Sequence, residues 1–192
     1  MSARLIIMGP QGSGKGTQAA RLAERIGVPA ISTGDIFRAN VKGDTELGRR
    51  AKVIMDAGDL VPDEITNAMV RDRLAEQDAA GGFILDGYPR TAEQVVALDA
   101  VLEESGGTLD AVVELTAPRE ELMERLHKRA GVEGRADDTE DAIRRRLEIY
   151  AEQTAPLTSA YGERKLLVTV NGIGEVDEVT ERVLEALATH IG

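Results

Sequence analysis

Gly9-Pro10-Gln11-Gly12-Ser13-Gly14-Lys15-Gly16-Thr17 decides how the rest of this chain is organised. The apolar run Leu5-Ile6-Ile7-Met8 before it has the length and β-branching of a buried strand, and Ala19, Leu22, Ala23 and Ile26 after it recur at helical spacing. A glycine-rich turn between a strand and a helix N-terminus cradles phosphate. Its glycines let backbone N–H groups turn inward around an anion, and the helix dipole adds positive potential. Pro10, Gly12, Ser13, Gly14, Gly16 and Thr17 are therefore candidate phosphate contacts, and Lys15 brings a mobile full charge to the β- and γ-phosphates. In the general pattern a serine or threonine follows the lysine. Here Gly16 takes that place, and the hydroxyl, a candidate magnesium contact, comes one residue later at Thr17.

With 192 residues, 42% of them hydrophobic, the chain suits one sizeable core with small inserted lobes and is too short for two full domains. Aromatic residues make up only 3%, so Ile, Val, Leu and Ala must fill that core. No window approaches the ~18 apolar residues that span a bilayer, and the early apolar run is too short for a secretory signal. There is no cysteine, which excludes disulfides and cysteine-based zinc sites and fits a reducing compartment. A cytoplasmic monomer with no membrane partner is the expectation. The net charge of −11 argues against a general nucleic-acid binder. It also makes any local gathering of arginines informative, because they gather against the overall field.

Along the chain, Val28–Ser32 reads as a short strand that leads into Thr33-Gly34-Asp35. Thr33 can cap the following helix with Asp35 in its first turn, or serve a ligand; Arg38 leans toward the same end of the sheet as the phosphate loop. Helices follow at about 46–57 and, opened by Pro62-Asp63-Glu64, at about 63–77. The strand Gly82–Asp86 ends in Gly87-Tyr88-Pro89-Arg90-Thr91, a turn at the C-terminal edge where open α/β sheets bind ligands. Asp86 either directs magnesium or caps the loop after its strand. A helix at about 91–105 and the strand Ala111–Leu115 come next.

Pro118 opens a helix with Leu122 and Leu126 on its buried stripe. At about 100° per residue Arg125 and Arg129 share one flank of it while Lys128 points away. Gly131–Arg135 reads as a short loop, and Asp138 as the cap of a helix whose apolar face is Ile143, Leu147 and Tyr150. Arg146 borders that face, Arg145 lies opposite, and Arg144 is ambiguous. The strand Leu166–Val170, the turn Gly172-Ile173-Gly174 and a helix with Val176, Val179, Val183, Leu187 and Ile191 inward complete the chain. Alternation of strands and helices predicts α/β architecture: a parallel, five-stranded sheet covered by helices on both faces.

These residues narrow the chemistry. One phosphate site is at Lys15, a second cationic cluster is at Arg38 and Arg90, and Arg125, Arg129, Arg135 and Arg146 form a third. A hydrolase needs fewer arginines and a group to orient water, whereas a kinase acting on a hydroxyl benefits from a base. His127 and His190 both read as surface residues, so no base candidate emerges. An acceptor that is itself a phosphate is already anionic; its difficulty is the meeting of two polyanions, which arginines and magnesium relieve. The inventory points to phosphoryl transfer from a nucleoside triphosphate to a nucleoside monophosphate, with Asp86 as the magnesium-directed carboxylate acting through water.

Over nearly its whole length the chain resembles the adenylate kinase family. The resemblance is carried by Gly9–Gln18, including the glycine after lysine, by Ser32-Thr33-Gly34-Asp35, by Asp86–Thr91 with Gln94, and by Thr154-Ala155-Pro156-Leu157. It implies an AMP site at Thr33, Arg38, Gly87, Arg90 and Gln94 with Arg135 and Arg146, an adenine pocket at Leu60 and Val61, and Gly174 on the ATP side with Arg129. It implies that Lys15, Arg90, Arg125, Arg129, Arg135 and Arg146 surround the transferring group. The implied plan is a P-loop nucleoside monophosphate kinase, one domain over 1–192. Its core is 1–32, 63–130 and 136–192, a helical AMP-binding lobe spans 33–62, and a short lid spans 131–135. ATP, AMP and ADP are the implied partners and magnesium the implied cofactor. A structural zinc, carried in the larger lid of many bacterial relatives, is not expected. A UMP/CMP kinase shares the plan, although Thr33 and Gln94 can hydrogen-bond a purine. A non-catalytic nucleotide-binding regulator is the reading from another class; it predicts loss of Lys15 or of one arginine set, and all are present.

Overall fold

The structure is a computed structural model that describes residues 3–134 and 138–191. Five parallel strands form one sheet in the order β2-β3-β1-β4-β5, with β1 Arg4–Met8, β2 Ala30–Ser32, β3 Phe83–Asp86, β4 Ala111–Thr116 and β5 Leu167–Asn171. Ile6 of β1 lies opposite Leu85 on one side and Val112 on the other, so the strand that opens the chain is central and buried on both faces. Strand order reverses at β1, which leaves a crevice beyond its C-terminal end.

Alternate side chains feed two cores. Leu5 and Ile7 face α1 (Lys15–Ile26) and α9 (Val176–Ile191), where Leu22, Val179, Val183 and Leu187 complete the layer. Ile6 and Met8 face the other way, toward Val70 of α4 (Asp63–Leu74), Leu98 and Leu102 of α5 (Ala92–Glu104), and Leu157 and Tyr161 of α8 (Ala155–Glu163). Each fully buried Leu or Ile contributes about 1.5–3 kcal/mol, so these aliphatic layers compensate for the scarcity of aromatic residues. A third, smaller cluster of Phe37, Ala51, Met55 and Val61 belongs to α2 (Thr33–Lys42), α3 (Glu46–Asp56) and the segment after them. Helices α2 and α3 approach so closely that a Cβ on Gly48 would stand 2.1 Å from the Asn40 carbonyl oxygen.

The fold class expected from the sequence is the one observed. Several local expectations shift. Ser32, not Thr33, caps α2 by accepting from the Asp35 N–H. Helix α6 (Arg119–Glu133) runs through Gly131 before Gly134 ends it in the left-handed region, so the expected loop loses three residues to the helix. Thr139, not Asp138, caps α7 (Glu140–Ile149). A π-helical turn over Tyr150–Thr154 and then α8, opened by Pro156, occupy a stretch whose helical character the sequence did not reveal. The ends of α9 are looser than the apolar pattern suggests: Val176 and Ile191 are exposed. Among the described residues no helix is long and apolar enough to cross a membrane.

Candidate active site

The loop between β1 and α1 is held by its neighbours. Gly9, Gly12 and Gly14 have positive φ, and a Cβ on Gly9 or Gly12 would meet the carbonyl oxygens of Leu115 or Leu122 at 2.6 and 2.9 Å. Gly14 begins α1 with no side chain capping it, which leaves the N–H groups of the first turn pointing into the crevice for an anion. The Lys15 ammonium curls back to donate to the Pro10 carbonyl at 3.4 Å. Pro10 itself contributes backbone and does not line the cavity, whereas Gly12 to Thr17 do. The Ser13 hydroxyl is buried with no hydrogen-bond partner among the described residues, a polar atom that a phosphate oxygen would satisfy.

Burial pulls the Lys15 ammonium down to about 8, against the Asp86 carboxylate and with the help of Arg90 and Arg129. The sign of the consequence follows from linkage. Between pH 8 and the ordinary lysine value of 10.5, the unfolded chain binds more protons than the folded one. The cost of burying this cation is therefore full below pH 8 and is relieved as pH rises through that window. A bound polyphosphate restores the proton. The expected result is that triphosphate affinity falls as pH rises above about 8, and that binding there takes up close to one proton. Calorimetry in two buffers of different ionisation enthalpy measures this; constant affinity across the window would contradict it.

Beside the loop, β3 delivers Asp86, which is 9% exposed. Its Oδ2 stands 3.4 Å from where a Cβ on Gly16 would be. A side chain at Gly16 would stand in van der Waals contact with that carboxylate and narrow the space between it and the helix. Asp86 and the exposed Thr17 bring hard oxygen donors to one side of the loop, and the space at Gly16 leaves room for water, so this donor set fits magnesium. Among the described residues no group of three His, Asp or Glu side chains gathers elsewhere to hold a metal.

The turn after β3 builds the second cationic pocket. Gly87, at positive φ, offers its carbonyl to both Thr33 Oγ1 at 3.0 Å and Arg90 Nε at 2.7 Å. Arg90 is fixed through its backbone too: its N–H donates to Gln94 Oε1 at 2.7 Å, and its carbonyl accepts from Thr154 Oγ1 at 2.9 Å. Burial lowers the Arg90 pKa, opposed by Asp86, yet a guanidinium stays charged at any working pH. Arg38 pairs with Asp35 at 2.6 Å, and Leu60, Val61, Phe37 and Met55 supply apolar wall.

Between the two pockets stand arginines of α6 and α7. Arg125 donates to Glu121 at 2.8 Å and to the Gly172 carbonyl at 3.1 Å. Arg129 grips Asp138 with two parallel bonds, Nε to Oδ2 at 2.7 Å and Nη2 to Oδ1 at 2.8 Å. Arg146 donates to the same carboxylate at 3.1 Å and to the Met55 carbonyl at 3.1 Å. Gln11 of the phosphate loop adds a bond to Asp138 at 3.2 Å. The Asp138 side chain is 0% exposed. Sequence reasoning made it a cap; it is the anion that gathers two arginines and the loop. The Asp137-Asp138 doublet among arginines is the signal that was available. Arg135 lies outside the described residues.

Lys128, Arg144 and Arg145 are exposed and pair with Glu124, Glu140 and Asp59, and His127 and His190 lie at the surface, as helical geometry suggested for Lys128 and Arg145. The phosphate loop, Asp86, the Thr33–Gly87–Arg90 turn and the three arginines share one cavity of about 720 Å³. Gly174 lines its far end. Two polyanions placed there would meet beside Arg129 and Arg146.

A family model described as adenylate kinase matches residues 7–166. Among curated proteins named adenylate kinase, one from Kocuria rhizophila is 60% identical, and the match covers 96% of this chain and 98% of that protein. One from a Nocardioides species is 62% identical over 96% of each, and one from Thermobifida fusca is 55% identical over 96% and 97% respectively.

Proposed function

The chain belongs to the adenylate kinase family, and from that premise we infer the reaction: reversible transfer of the terminal phosphoryl group of ATP to AMP, giving two ADP. The observation that carries this reading is the single cavity of about 720 Å³ that joins the phosphate loop to the Arg38–Arg90 pocket. ATP lies with its phosphates over Gly12 to Thr17 under Lys15, and its base toward Gly174. AMP lies against Thr33, Arg38, Gly87, Arg90 and Gln94, with adenine between Leu60 and Val61. Residues 33–62 serve as the AMP-binding lobe and 131–135, with Arg135, as a short lid over the core.

The protein's contribution is positional and electrostatic. The acceptor oxygen on AMP is ionised near neutral pH and needs no base. What opposes the reaction is repulsion between the two phosphate chains, and Lys15, Arg90, Arg125, Arg129 and Arg146 offset it from fixed positions. Because the arginines are already oriented by Asp138, Gly87 and Gly172, little reorganisation of them accompanies the transfer. Asp86, through water, and the Thr17 hydroxyl would hold magnesium. The ion would add positive charge beside the β- and γ-phosphates. Closure over both nucleotides excludes water and suppresses hydrolysis. The enzyme works as a monomer in the cytoplasm, on nucleotides and without a nucleic-acid or membrane partner.

ADP formation from ATP with each of AMP, UMP, CMP and GMP, with and without magnesium, tests the assignment. Strong preference for AMP and dependence on magnesium are expected. Preference for UMP or CMP would move the acceptor assignment to pyrimidines. ATP binding without any phosphorylated monophosphate would remove the enzymatic reading.

A further inference from the structure

We propose that Asp63 fixes which way round the Gln94 carboxamide faces, and so selects the purine edge that the acceptor pocket takes. The inference rests on the placement of Gln94 at the AMP base. Gln94 is 2% exposed and lines the cavity, whereas Asp63, at the start of α4, does not. Gln94 Nε2 donates to Asp63 Oδ1 at 2.8 Å, and Gln94 Oε1 accepts from the Arg90 backbone N–H at 2.7 Å. A carboxylate can only accept and a backbone N–H can only donate, so these neighbours admit one orientation of the amide and reject the flipped one. Asp63 is held in turn. Thr91 Oγ1 accepts from the Gln94 N–H at 3.2 Å, which directs its own proton to Asp63 Oδ2 at 2.9 Å.

After these bonds Gln94 keeps one N–H and one oxygen lone pair. The pairing edge of adenine offers an acceptor at N1 beside a donor at N6. Hypoxanthine and guanine offer the reverse, a donor at N1 beside an acceptor at O6. An amide that cannot turn over therefore serves the adenine order and leaves the reversed order with donor against donor. A site whose buried polar groups are left unpaired discriminates far more strongly than one that merely differs in shape. Selection against 6-oxopurines thus originates one residue behind the pocket wall.

The test compares AMP with inosine monophosphate, which presents the reversed edge on the same purine frame, in wild type and Asp63→Asn. Asparagine keeps the shape but can turn either end toward Gln94. The ratio of kcat/KM for AMP over inosine monophosphate is expected to fall about tenfold, mainly through KM, because base recognition is made equally in the ground and transition states. An unchanged ratio, or an equal fall for both nucleotides, would overturn the proposal, since a merely structural role would lower both together. Should this variant not fold, the wild-type carboxamide can be observed directly. Strong solvent protection of the Gln94 Nε2 protons in ligand-free protein, with those protons remote from the Arg90 amide proton that faces Oε1, supports the lock; freely exchanging Nε2 protons, or their close approach to the Arg90 amide proton, overturn it. A wild type that prefers UMP or CMP overturns the AMP assignment, and the lock's role in purine choice with it.

Discussion

Arg90→Ala is expected to lower kcat about 10³-fold while ATP affinity changes less than threefold, on the order expected for a residue outside the phosphate loop. Arg90 is anchored by the Gly87 carbonyl, by Gln94 and by Thr154, so its charge arrives without a search through rotamers. It faces Asp86 and stands close enough to Lys15 to depress that ammonium, which puts it between the two phosphate sites and not behind one of them. Its charge should therefore count most when the phosphoryl group is shared between donor and acceptor. Steady-state kinetics with AMP and ATP varied independently, together with calorimetric ATP binding, separate the two quantities. If AMP KM rises and kcat does not move, Arg90 is a ground-state contact only.

The second large effect is on stability. Asp138→Ala leaves Arg129 and Arg146 facing each other with their common carboxylate gone, and breaking a buried ion pair from one side costs about 3–5 kcal/mol. The Asp138 side chain is fully buried, and the two arginine side chains are 22% and 13% exposed, so water can restore little of the loss. Equilibrium denaturant unfolding of ligand-free protein measures the difference. A change below about 1 kcal/mol, the range of surface pairs, would show that solvent screens this cluster after all. Activity should fall by about 10²-fold as well, because arginines freed from Asp138 lose the geometry that transfer requires.

The sequence disclosed what depends on short-range pattern. The strand–loop–helix from Leu5 to Ile26 was readable because glycine spacing, β-branching and helical periodicity agree within one stretch. Asp86 and Arg90 could be placed because a strand end in a parallel sheet has a fixed location relative to the crevice. Asp138 could not. A carboxylate before a helix looks like a cap, and only the meeting of α6, α7 and the phosphate loop turns it toward arginines. Gln94 entered through the family resemblance and not through any pattern in its own stretch, and both of its side-chain bonds go to neighbours, Asp63 and the Arg90 backbone, whose proximity no spacing rule supplies. Helix α8 escaped because the π-helical turn at Tyr150–Thr154 breaks the period on which recognition of helices relies.

Arg146 is tied at once to Asp138 and to the carbonyl of Met55 at the end of α3, and the same end of α3 meets α7 through Asp59 and Arg145 and through Gly58 against Ala142. The arginine is thus a shared joint, held at once by the carboxylate beside α7 and by the backbone of α3. Any displacement of the α3 end is transmitted to Arg146 and, through Asp138, to Arg129 and the phosphate loop at Gln11.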